Sequence, residues 1–135
     1  MQNVLVVDDE RDVRDAIKRV LERAGYTVRT TGGGAEALAE LRRCGADIVI
    51  TDIIMPKING VEAIESIRSE FPAVRIIAIS GGGNFGITAY QPTAITTSAY
   101  LAAAERAGAH WVLTKPFESG DLLNAVEQVL GVGHA

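Results

Sequence analysis

Apolar runs too short for helices constrain this chain most: VLVV at 4–7, IVI at 48–50, IIAI at 76–79 and WVL at 111–113. Each is strand-length, mostly β-branched and apolar at successive positions, the pattern of a strand covered on both faces. A weaker run covers residues 27–30. Helical periodicity fills the gaps. Val13, Ala16, Ile17, Val20, Leu21 and Ala24 recur at offsets of three and four before Gly25, a usual helix terminator. Ala35, Leu38 and Leu41 precede Gly45, and Val61, Ile64 and Ile67 precede Phe71-Pro72, where the proline ring forbids continuation. Leu122, Leu123, Val126, Val129 and Leu130 make a last helix, with Ser119 as its expected N-cap and Asp121 in its first turn. Alternating strands and helices imply an α/β fold with a mostly parallel sheet, because parallel neighbours need right-handed helical crossovers. The fourth crossover alone is irregular. There SGGGNFGITAYQPTAITTSAY (80–100) leads into a helix expected from Thr96 to Gly108.

The 135 residues fit a single domain, expected over residues 1–131 with a frayed tail at 132–135. Seventeen acidic against thirteen basic residues, a net charge of -4, argue against a nucleic-acid platform. A lone cysteine, Cys44, suits a reducing compartment. No segment approaches the roughly 20 apolar residues of a membrane span. The chain is therefore expected to be cytoplasmic, with neither nucleic acid nor membrane as a partner.

In open parallel sheets, ligands gather at the carboxyl ends of the strands. Strand one ends in Asp8-Asp9-Glu10, strand three in Asp52, strand four in Ser80 and strand five in Thr114-Lys115-Pro116. Carboxylates converging on one edge repel, so a cation belongs among them, and Mg²⁺ prefers such oxygen ligands. Lys115 adds a positive group beside Asp52 or beside a phosphoryl group placed on it. A carboxylate can itself act as a nucleophile and form an aspartyl phosphate. Each residue also has a plainer reading: the Asp pair as an N-cap, Asp52 as a turn residue, Ser80 as a loop serine, Lys115 as a solvated charge. The conjunction of four strand ends favours the site.

These residues bring in a resemblance. VLVVDDE, IVITDIIMPKINGVE, IIAIS and VLTKPF, in this order, resemble the receiver domain of two-component response regulators along nearly the whole chain. The resemblance implies a flavodoxin-like, doubly wound five-stranded parallel sheet in the order 2-1-3-4-5 with five helices and, here, an enlarged loop between strand four and helix four. It implies Asp52 as the phosphoacceptor; Asp8, Asp9, Asp52 and the Ile54 carbonyl as Mg²⁺ ligands; Lys115 on the phosphoryl group; and Ser80 as the switch hydroxyl. Pro56 and Gly60 match the turn after strand three, and Lys115-Pro116 is a candidate cis peptide. A histidine kinase or histidine phosphotransfer protein would donate the phosphoryl group to a stand-alone receiver, a monomer or weak homodimer. Such a receiver catalyses only its own phosphorylation and dephosphorylation. Its output is expected through an unidentified protein target or phosphate relay.

Two departures bear on mechanism. Val112 stands where the family usually carries Tyr or Phe, with Trp111 beside it. Strand alternation sends the two to opposite faces, so Trp111 reads as packing against a helix. The segment after Ser80 is roughly a dozen residues longer than usual for the family, a length typical of functional loops. Its glycines read as a hinge, and Phe85, Tyr90 and Tyr100 suit protein contacts. Ile54 and Gly82 offer no side chain to orient a hydrolytic water, which points to slow self-dephosphorylation. Gly32 to Gly34 make a turn, while His110 and His134 are too scattered for a metal site. Two other functions compete. A phosphorylation-independent interaction module would not need the full acidic and lysine set. A flavin or nucleotide binder needs a glycine- or hydroxyl-rich first turn, where DDE would repel phosphate.

Overall fold

A computed structural model describes residues 2–52, 60–80, 102, 105–114 and 117–131. Strands β1 (Asn3–Val7), β2 (Thr27–Thr31), β3 (Ile48–Asp52), β4 (Arg75–Ser80) and β5 (Trp111–Thr114) form one sheet in the order 2-1-3-4-5. All its pairings are parallel. Helices α1 (Arg11–Arg23), α2 (Gly34–Cys44) and α3 (Gly60–Glu70) follow the first three strands. Helix α4 is described at residues 102 and 105–107, and α5 (Ser119–Gly131) closes the fold. This is the flavodoxin-like topology implied by the resemblance.

Two cores explain the unbroken apolar runs. On one face Val4, Val6, Ile48, Ile50, Ile77 and Ile79 pack with Ile17 and Leu21 of α1 and with Leu122, Val126 and Val129 of α5. On the other, Leu5, Val7, Val49, Ile76 and Ala78 meet Ala37 and Leu41 of α2 and Ile64 and Ile67 of α3. Successive strand residues point to opposite faces, so a strand between two helical layers must be apolar at every position. Only Val28 of the edge strand β2 is fully buried, hence its weak signal.

The glycines expected to stop helices all have left-handed backbone: Gly25 at φ 102°, Gly45 at 73° and Gly108 at 123°. At the end of α1, Gly25 N–H donates to Glu22 O (3.0 Å) and Tyr26 N–H to Leu21 O (3.1 Å), the paired bonds of a Schellman motif. Two details differ from expectation. Ala16, Ala24 and Ala35 are exposed, because Ile17, Leu21, Ala37 and Leu41 centre their helices' buried stripes. Ser119 lies inside α5 rather than capping it. Glu118 is the preceding residue, and its N–H donates to Asp121 Oδ2 at 2.9 Å, half of a capping box. The enlarged loop, with Phe85, Tyr90, Tyr100 and the expected helix start at Thr96, lies outside the described residues. Among the described residues, no helix is long and apolar enough to cross a membrane.

The strand order also places the site. The chain leaves β1 towards β2 and leaves β3 towards β4, on opposite sides. The carboxyl ends of β1 and β3 therefore flank the crevice where the topology switches direction.

Candidate functional site

Register brings the acidic residues together. Val7 pairs with Thr51, so Asp8 follows at the level of Asp52 on the adjacent strand. Asp52 pairs with Ile79 and Ser80 with Thr114, placing Ser80 and Thr114 one residue further along the same edge. One carboxylate oxygen from each of Asp8, Asp9 and Asp52 lies within 4.8 Å of the others. Asp8 is 1% exposed and Asp52 5%, whereas Asp9 is exposed. Two of the three carboxyl groups are thus buried, and they meet at the ends of neighbouring strands.

The turn into α1 explains the difference within the pair. Asp8 Oδ1 accepts from Glu10 N–H at 2.8 Å, an Asx-type turn that holds Asp8 inward. Arg14 Nη1, from α1, donates to the Asp8 carbonyl at 2.8 Å. The helix's N-cap is Glu10, whose side chain makes no capping bond. Neither aspartate therefore serves as the cap that was the plainer reading of the pair.

The donors fit a hard divalent ion. They are all oxygens, and with Mg²⁺–O distances of about 2.0–2.1 Å, opposite ligands in an octahedron lie about 4.2 Å apart. Oxygens within 4.8 Å of one another need only small adjustment to share one ion. Of the remaining expected residues, Ser80 is described by its place at the end of β4, and Gly60 opens α3. Lys115, Pro116, Ile54 and Pro56, the proposed cis peptide included, lie outside the described residues.

Trp111 and Val112 point to opposite faces, as alternation requires. Trp111 packs against the core under α1 and α5, and Val112, with Ala107 and Ala109, against the core under α2 and α3. Trp111 therefore cannot replace an aromatic side chain at position 112. Gly32 and Gly33 make the turn into α2, and Cys44 is exposed. His110 has a structural task that its type alone did not signal. Its ring Nδ1 accepts from the backbone N–H of Ile76 (3.0 Å), and the backbone N–H of His110 donates to Ile76 O (2.8 Å). Burial, then the neighbouring Arg68 and Arg75 charges, push its pKa below the ordinary value, which favours the neutral form that this acceptor role requires.

A sequence profile described as the response regulator receiver domain matches residues 4–127. The chain belongs to this family. The receiver is 37% identical to the DNA-binding transcriptional regulator NtrC of Azospirillum brasilense over 94% of its own length and 24% of that protein's. It spans about a quarter of the NtrC proteins it matches. It is 32% identical to the response regulator receiver protein CpdR of Brucella abortus, over 96% of this receiver and 98% of CpdR. The crystal structure of the NtrX receiver domain from Brucella abortus superposes with a TM-score of 0.81 at 28% identity, over 96% of this chain and 98% of that one. The receiver thus belongs to two-component signalling, and its acidic cluster fits the phosphorylation and Mg²⁺ site of that family.

Proposed function

We propose that this receiver accepts a phosphoryl group from a phosphohistidine on Asp52. The observation that carries the reading is the meeting of Asp8, Asp9 and Asp52 within 4.8 Å at the switch-point crevice. In the transfer, an Asp52 carboxylate oxygen forms a bond to phosphorus while the phosphorus–nitrogen bond breaks and its electron pair stays on the imidazole. Asp8, Asp9, Asp52 and the Ile54 carbonyl would hold Mg²⁺. Once bound, the ion offsets charge on the transferring phosphoryl oxygens. Lys115, next along the chain from Thr114, would give a second positive group to the phosphoryl oxygens, and Ser80 would give one of them a hydroxyl. Burial of Asp8 and Asp52 holds these two carboxylates in place, so positioning and electrostatics would supply the catalysis. The donor is a histidine kinase or histidine phosphotransfer protein. Charge added on Asp52 draws Ser80 and the following segment towards the site, shifting the population of surfaces offered to a downstream protein.

Incubation with Mg²⁺ and a small acyl phosphate or phosphoramidate tests the reading by intact mass. The wild type gains one base-labile phosphoryl adduct, and Asp52→Asn gains none. An unmodified wild type, under conditions that phosphorylate another receiver, would reject phosphoacceptance in favour of an interaction module.

A further inference from the structure

The acidic cluster has a basic neighbour that its family reading does not employ. Arg14 lies at the opening of α1, the helix end whose dipole disfavours a cation. Its Nη1 reaches back across the turn to the Asp8 carbonyl at 2.8 Å. That carbonyl belongs to the peptide joining Asp8 to Asp9, just beyond the Val7–Thr31 pairing of β1 with β2. At the end of β2, a Cβ on Gly32 would stand 3.3 Å from the same Nη1. The bare glycine leaves the notch in which the guanidinium lies. Asp8 is held a second time by its side-chain bond from Glu10 N–H. Asp9 is exposed and lies on the other side of the peptide that Arg14 holds.

We infer that Arg14 is a positioning residue. By holding the Asp8–Asp9 peptide in the notch left by Gly32, it keeps the exposed Asp9 carboxylate facing Asp8 and Asp52. The inference rests on reading that cluster as a divalent-cation site. It assigns Arg14 an effect opposite in sign to simple electrostatics. As a nearby positive charge, Arg14 would repel a dication, and its removal would tighten binding. As a positioning group, its removal weakens binding, because Asp9 must be ordered each time an ion enters.

The test measures Mn²⁺ and Mg²⁺ affinity of the full chain by calorimetry, with the Asp9 and Glu10 amide signals followed by NMR in chelator. Arg14→Ala should weaken binding about tenfold, the low end of what losing an outer partner of a metal ligand costs. Gly32→Ala keeps the charge but crowds the guanidinium, and should weaken binding in the same direction by a smaller factor. In an Asp9→Asn background Arg14→Ala should lose most of its effect, a coupling that general destabilisation would not produce. Arg14→Lys, which keeps a donor and the charge, should recover part of the loss. Unchanged or tighter binding in Arg14→Ala, or an equal loss with and without Asp9, overturns the inference. If the wild type binds neither ion, the cation reading fails, and the metal-free amides alone decide the positioning role. Shifted and broadened Asp9 and Glu10 signals in Arg14→Ala support that role, and unchanged signals overturn it.

Discussion

Replacing Asp8 with asparagine should stabilise the metal-free protein. Asp8 and Asp52 are 1% and 5% exposed, with carboxylate oxygens within 4.8 Å. Two unit charges at roughly 6 Å, allowing for charge spread over each carboxylate, repel by about 3 kcal/mol at an effective dielectric constant near 20. Asparagine has nearly the same shape, and its Oδ1 can still accept from Glu10 N–H, now bonded at 2.8 Å. That bond loses its ionic component, a cost of about 1 kcal/mol. The net gain is about 2 kcal/mol, or roughly 6–10 °C in melting temperature for a domain of this size. Urea and thermal unfolding in chelator measure it. Mg²⁺ should then invert the comparison. At a hundredfold excess over its dissociation constant, a ligand stabilises the wild type by about 2.7 kcal/mol, while Asp8→Asn gains much less. An Asp8→Asn protein that melts at or below wild type in chelator would refute the repulsion, and with it the physical reason for placing a cation there.

Three further outcomes follow from local geometry. Gly108→Ala should cost about 2 kcal/mol or more in urea unfolding, because φ is 123° and the new Cβ would lie 2.5 Å from Arg68 Cγ; an unchanged midpoint would contradict the contact. His110 has a folded pKa below the ordinary 6.5, chiefly through burial and then through Arg68 and Arg75, so the unfolded chain binds the proton more readily. Stability is therefore full above 6.5 and lost as pH falls from there through the folded value; His110→Ala should flatten that slope, and an unaltered slope assigns it to other groups. Trp111→Ala should cost about 3 kcal/mol through lost packing yet leave phosphorylation of the folded protein at wild-type rate; a slowed transfer would reopen a signalling role.

The fold was legible because each element writes its own pattern along the chain. Residues 48–50 and 76–79 are apolar at every position since helices cover both faces of β3 and β4. Gly25, Gly45 and Gly108 mark helix ends because each adopts a left-handed φ. The acidic set was legible through its place just after such runs. Arg14 left a fainter trace, a cation where the helix dipole favours an anion, because its recipient is a backbone carbonyl, which no residue type marks. Ala16, Ala24 and Ala35 matched the helical period but lie outside, at the margins of stripes centred on Ile17 and Leu21 in α1 and on Ala37 and Leu41 in α2.

By itself, the sequence determined the alternation of strands and helices, the helix stops, and which strand ends carry carboxylates. All of these depend on residues close together along the chain. Tertiary structure decided that Asp8 comes level with Asp52, and that Asp8 is buried while Asp9 is exposed. It also decided that His110 bonds Ile76, 34 residues away. Strand register and helix docking join groups distant in the chain, and neither leaves a periodic mark on the residues it brings together.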